Sequence, residues 1–301
     1  MKKNFCGITA PISTPFIDGE VAYEKLKQNA RRYAKTELSG FFVLGSNGEN
    51  PALDDQERLK VFETVMESRS PEQTVIAGTS FESTQLAIRF AKILVEMGAD
   101  YISVLTPSYY KKALTDEAQI GHFQKIADTL TVPIVIYNVP GHTGITLSHK
   151  VVETLSQHPN IAAMKDGAPG MFPHYLQYAS DNFSVISGTI DSLLPAMMIG
   201  AVGGVISLAN PFPEACCELY RLFKNGDLSK AKELYRRLLK LNRSISGTYG
   251  VAGVKAAMEL NGFFGGDPRL PLLPLDQMQK KNLVKTVEDS GVLSFVDPHL
   301  Q

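Results

Sequence analysis

A lysine that closes a strongly apolar run is the residue in this sequence with the most chemistry available to it. Lys165 follows Ile-Ala-Ala-Met in the segment IAAMKD, and an amine at the end of a buried strand must either pair its charge or lose it to desolvation. Loss of the proton makes the amine a nucleophile. A lysine used this way attacks a ketone to give a protonated imine, an electron sink that turns the neighbouring carbon into an enamine. The other use of such a residue is a structural ion pair with Asp166 or another carboxylate. One run earlier, PIVIYN carries Tyr137. Its hydroxyl either shuttles the proton that carbinolamine dehydration requires or is simply satisfied within a core.

The loop GSNGE follows the run GFFV. Gly45 and Gly48 free its backbone to approach a ligand, and Ser46 and Asn47 can hydrogen-bond an anion such as a small carboxylate. Asn-Gly is also a common turn, so the loop alone is a weak signal. The other polar residues that end apolar runs are Thr14, Thr79, the pair Tyr109-Tyr110, Gly188 and Ser207. They carry weight because barrel enzymes gather their active sites at the C-terminal ends of strands.

The elements that must position these residues are legible as eight short runs: GITAPIST, GFFVLG, TVIAGT, YISVLT, PIVIYN, IAAMKD, FSVISG and GGVISL. Each is nearly continuous in apolar and β-branched residues, as strands covered on both faces are. Amphipathic stretches over 23–38, 54–68, 83–97 and 116–130 alternate with them, several opened by Ser, Thr or Asp as N-caps. Strict alternation predicts an α/β chain with a (β/α)8 TIM barrel, since no Gly-x-Gly-x-x-Gly turn follows the first run to support an open dinucleotide-binding sheet. After Pro211 the strand signals stop. Helices are expected around 214–223, 228–241 and 254–260, so the reading is a barrel over 1–224 and a C-terminal helical extension over 225–301.

Composition excludes several classes of function. Thirty Lys and Arg against thirty-one Asp and Glu give a net charge of -1, which recommends neither nucleic acid nor an anionic membrane as partner. No run approaches the roughly 18 apolar residues of a spanning helix, and no signal-peptide pattern opens the chain, so a cytoplasmic enzyme is expected. Cys6, Cys216 and Cys217 suit reduced thiols better than a disulfide framework. His122, His142, His149, His158, His174 and His299 show no ligand spacing, so no metal and no metal-dependent aldolase is expected.

Taken in order, GSNGE, the tyrosines of TPSYY, YNVPGHTG, the lysine of MKDG, SGTIDS, GAVGGVISLAN and the late YGVAGVKAAMEL with GFFGGDPRLPL resemble one family. It is the dihydrodipicolinate synthase and N-acetylneuraminate lyase family of pyruvate-dependent class I aldolases, and the resemblance covers essentially the whole chain. It implies that Lys165 is the Schiff-base lysine, Tyr137 the proton-relay tyrosine and Ser46 the hydroxyl linking the relay. Tyr110 is the relay member lent by a neighbouring subunit, Asn47 meets the pyruvate carboxylate, and Gly188 and Ile206 line the pyruvate pocket. It further implies a homotetramer built as a dimer of dimers, and neither a metal nor an organic cofactor.

Two departures bear on the aldehyde partner. Ser46-Asn47 stands where the synthases generally carry Thr-Thr and looks more like the 4-hydroxy-2-oxoglutarate aldolase branch, as does the extra serine of TPSYY. His142 stands where the synthases place an arginine that clamps the carboxylate of aspartate semialdehyde. Imidazole is shorter and mostly neutral, and one lost charged contact costs on the order of 1.5 to 3 kcal/mol. The sequence reading therefore ranks a 4-hydroxy-2-oxoglutarate aldolase-like enzyme first, joining or releasing pyruvate and an aldehyde. The 4-hydroxy-tetrahydrodipicolinate synthase comes second, with a dehydratase on a deoxy sugar acid as a further variant and a non-catalytic oxo-acid-binding protein as a distant alternative.

Overall fold

Each of the eight apolar runs contains one strand. The computed structural model describes residues 5–168 and 170–295; His299 and the outer ends of the two expected segments lie outside them. The strands are β1 (Gly7–Pro11), β2 (Gly40–Val43), β3 (Thr74–Thr79), β4 (Tyr101–Leu105), β5 (Ile134–Asn138), β6 (Ile161–Asp166), β7 (Ser184–Ser187) and β8 (Gly203–Val205). They close into a barrel in the order β1-β8-β7-β6-β5-β4-β3-β2, and every strand pairing described within it is parallel. This is the expected (β/α)8 barrel.

Capping chemistry explains where several helices begin. α1 (Tyr23–Tyr33) starts without a side-chain cap. In α2 (Asp55–Met66), Asp54 accepts from the Glu57 amide while the Glu57 side chain accepts from the Asp54 amide, a reciprocal capping box. Ser83 caps α3 (Thr84–Glu96) and Thr115 caps α4 (Asp116–Thr129). The helices α5 (Pro140–Thr143), α6 (His149–Ser156), α7 (Phe172–Leu176) and α8 (Ile190–Met198) follow strands five to seven. The C-terminal helices are α9 (Pro213–Lys224), α10 (Leu228–Asn242), α11 (Thr248–Leu260) and α12 (Gln277–Ser290). The sequence reading missed α12, although Asp276 and Gln279 form a capping box at its start and Gly291 ends it in the left-handed conformation.

The chain groups into two compact units. Among the described residues, one holds Phe5, Cys6 and residues 74–205; the other holds residues 7–73 and those from Ile206 on. In the second unit the C-terminal segment docks on α1. The Tyr33 ring stacks on Phe263 at 4.5 Å, its hydroxyl donates to the Asn210 carbonyl at 2.7 Å, and Asn29 exchanges two hydrogen bonds with the Phe264 backbone. Cys216 and Cys217 are buried and unbridged in α9, and burial pushes both thiols far up, away from the reactive thiolate. No helix among the described residues is long and apolar enough to cross a membrane.

Candidate active site

In the unit of residues 74–205, strand register brings the first two expected residues together. Tyr137 on β5 stands opposite Lys165 on β6, and Asn138 opposite Asp166. Because successive side chains alternate between faces, Tyr137 and Lys165 share one face and Asn138 and Asp166 the other. The Lys165 ammonium nitrogen lies 3.8 Å from the Tyr137 ring centroid. Both residues are buried, at 6% and 7% exposure, so the amine sits in a desolvated place with an aromatic face against it.

On the opposite face Asp166 Oδ1 accepts from Asn138 Nδ2 at 2.8 Å and from the Ala168 amide at 3.1 Å. Asn138 Oδ1 in turn accepts from the Leu147 amide. Burial raises the Asp166 carboxyl to about 6 against the pull of the Asn138 hydrogen bond. The alternative use of Lys165 was an ion pair with Asp166 or another carboxylate; alternation turns Asp166 away from Lys165, and its Oδ1 is taken by Asn138 and the Ala168 amide. Asn138 went unrecognised in the sequence even though it ends the same run as Tyr137.

Gly188 follows β7 with its amide donating to the Asp166 carbonyl at 2.7 Å, and a Cβ there would meet that carbonyl oxygen at 2.7 Å. The glycine is thus needed for close approach of two strand ends. His142 lies in α5 and is exposed, yet desolvation by its surroundings and then the Lys165 charge lower its pKa. Tyr109 and Tyr110 are exposed and meet edge to face at 5.0 Å.

In the other unit, the loop after β2 is a tight 3-10 turn over Ser46–Gly48. Asn47 Nδ2 donates to Ser207 Oγ at 3.0 Å, and Thr14 Oγ1 donates to the Gly48 carbonyl at 2.7 Å. The strand-end residues Thr14 and Ser207 thereby fasten the turn. Ile206, directly after β8, is fully buried and its amide donates to the Thr9 carbonyl. Among the described residues no group of three or more His, Cys, Asp or Glu side chains is arranged to hold a metal ion.

The site is thus a parallel barrel with a buried lysine near the end of its sixth strand, set against a tyrosine of the fifth. The model of the dihydrodipicolinate synthetase family matches residues 4–290; the chain belongs to this family and is an enzyme of its pyruvate-dependent lyase class. It is 33% identical over 287 residues to a 4-hydroxy-tetrahydrodipicolinate synthase of Geobacter metallireducens, covering 95% of this chain and 98% of the relative. A synthase of the same name from Methanothrix thermoacetophila is 35% identical over 283 residues, 93% of this chain and 95% of that one. Among solved structures, a dihydrodipicolinate synthase from Acinetobacter baumannii complexed with pyruvate superposes with a TM-score of 0.89 at 27% identity, covering 96% of this chain and 100% of the other.

Proposed function

We propose that this enzyme forms a Schiff base between Lys165 and pyruvate and joins the resulting enamine to an aldehyde. The observation that carries the reading is the Lys165 amine held 3.8 Å from the Tyr137 ring, on neighbouring strands and out of water. Attack of the amine on the C2 carbonyl gives a carbinolamine. Tyr137 protonates its departing oxygen as water, leaving the imine; loss of a C3 proton gives the enamine, which bonds to the aldehyde carbon. Hydrolysis then frees Lys165 and the product. Run backwards, the same steps release pyruvate and an aldehyde.

The remaining assignments follow the family resemblance. Ser46 passes the proton to and from Tyr137, with Tyr110 completing the relay from a neighbouring subunit of a homotetramer. Asn47 binds the pyruvate carboxylate, and Gly188 and Ile206 line the pocket. The reaction uses no metal or organic cofactor and takes place in the cytoplasm.

For the aldehyde, the names of the curated relatives support aspartate semialdehyde, and with it the synthase, over the aldolase that the sequence departures put first. One feature favours the aldolase as a second reading: His142, whose pKa is lowered, stands at the position where the family resemblance puts a carboxylate-clamping arginine in the synthases. Borohydride reduction with pyruvate, followed by peptide mass analysis, tests the imine. A reduced adduct on Lys165 supports it, and its absence on folded protein overturns it. Turnover of aspartate semialdehyde compared with glyoxylate then separates the two readings.

A further inference from the structure

The chain buries a second lysine more deeply than the first. Lys255, in α11, is 1% exposed, and its ammonium lies 2.5 Å from Oε1 of Glu49, itself 3% exposed. The same nitrogen donates to the Asp267 carbonyl at 3.0 Å and sits 4.3 Å from the centroid of Phe16. Burial lowers the Lys255 pKa, while the Glu49 charge opposes that fall. Glu49 Oε2 accepts from the Arg269 amide at 2.9 Å. The Arg269 guanidinium covers the same Phe16 ring at 4.5 Å and grips both Glu57 oxygens and the Ala52 and Gly19 carbonyls.

What this cluster holds is the end of the Ser46–Asn47 turn. The turn is flanked by two non-glycine residues in the left-handed region, Leu44 (φ 61) and Glu49 (φ 53). Such residues persist only where their surroundings over-determine them. Thr14 fixes the Gly48 carbonyl, and the side chain of Glu49 is clamped from the C-terminal segment by Lys255 and by Arg269. Gly265 and Gly266 permit the close approach: a Cβ on Gly265 would meet the Lys255 carbonyl at 2.1 Å, and one on Gly266 the Phe16 carbonyl at 2.5 Å.

We infer that Lys255 and Glu49 are a positioning pair through which the C-terminal segment holds the Ser46–Asn47 turn in its ligand-binding geometry. The pair touches no reacting atom. The inference rests on the reading above that this turn receives the carboxylate of pyruvate. A buried ion pair is a costly way to gain stability alone, because desolvation of the two charges offsets most of their attraction. It can, however, fix one local arrangement where an apolar contact would allow several.

The test uses the full-length enzyme with Lys255→Met, Glu49→Gln and the double variant. The double variant leaves no unpaired buried charge and keeps an acceptor for the Arg269 amide, so it carries the result where a single variant fails to fold. Leu94→Ala, fully buried in α3 of the other unit and outside the C-terminal segment, serves as a destabilised control. In the folded double variant we expect faster amide hydrogen exchange in the peptide spanning 44–53. A rise of about ten-fold or more in KM for pyruvate should accompany it, with a smaller change in kcat, while the control keeps its KM. Exchange or KM at the unsubstituted value in the folded double variant overturns the inference. Borohydride trapping on the same samples reports on Lys165 separately. An unsubstituted enzyme that forms no adduct discredits the Schiff-base reading, whereas an adduct with unmoved exchange and KM discredits the pair.

Discussion

Tyr137 and Lys165 are register partners on β5 and β6, and the amine rests 3.8 Å from the centroid of the phenol ring. In the proposed mechanism the ring and the hydroxyl of Tyr137 do separable things: the ring packs against the amine, and the hydroxyl would move protons. Tyr137→Phe keeps the first and removes the second. We expect kcat to fall by about 10²- to 10³-fold, the usual worth of a positioned proton donor, with the KM for pyruvate within a few-fold and an unchanged melting temperature. Lys165→Met abolishes the borohydride adduct altogether. Steady-state kinetics together with trapping check both, and a Tyr137→Phe enzyme of full kcat would remove Tyr137 from the relay.

Gly188 gives a prediction about packing. Its Cβ-to-be lies 2.7 Å from the Asp166 carbonyl oxygen, a backbone atom that cannot swing away. Gly188→Ala must push β7 from the end of β6, at about 1–3 kcal/mol as for other overpacked sites. Urea unfolding measures the loss. Because the strain falls one residue from Lys165, kcat should drop more than an equally destabilising change elsewhere would cause.

The barrel was legible because its strands are buried on both faces, which leaves unbroken apolar runs that punctuate the chain; Lys165 and Tyr137 stood out as polar residues ending two of them. What the sequence hid has identifiable physical causes. Lys255 lies within the apolar VAGVKAAM helix, where a charge looks like a helix-surface residue until its partner is known, and that partner, Glu49, is some two hundred positions away. Asn138 and Asp166 face away from Tyr137 and Lys165, and their bond depends on a strand register that no local pattern encodes. The helix α12 carried a readable cap, but its mixed, lysine-rich composition gave little apolar periodicity, and the Pro- and Gly-rich segment before it masked the start.

Two buried groups pull the pH dependence of stability in opposite directions. Burial lowers His122 to about 4, so between its ordinary value and 4 the unfolded chain binds more protons, and stability falls as pH falls. Asp166 is raised to about 6, so between 6 and its ordinary value the folded chain binds more protons. Its burial cost is present above about pH 6 and relieved as pH drops. Asp166→Asn removes only the second effect. Relative to the unsubstituted enzyme, the variant should gain on the order of 2–3 kcal/mol more at about pH 7.5 than at about pH 4. Urea unfolding at the two pH values checks this, and a difference that does not vary with pH would mean that Asp166 titrates like a solvated carboxyl.

His142 is where the choice of aldehyde can be read. Desolvation and then the Lys165 charge lower the pKa of its imidazole, which disfavours the charged form that a carboxylate would prefer. His142→Arg supplies a permanent charge and a bidentate fork at the same position. If position 142 faces the aldehyde carboxylate, the ratio of kcat/KM for aspartate semialdehyde to that for an uncharged aldehyde should rise about ten-fold or more, as one added charged contact would bring. A ratio that stays put means that the carboxylate is met by another residue. Imidazole at 142 would then be no obstacle to the synthase reaction, and the feature at 142 that favours the aldolase would be gone.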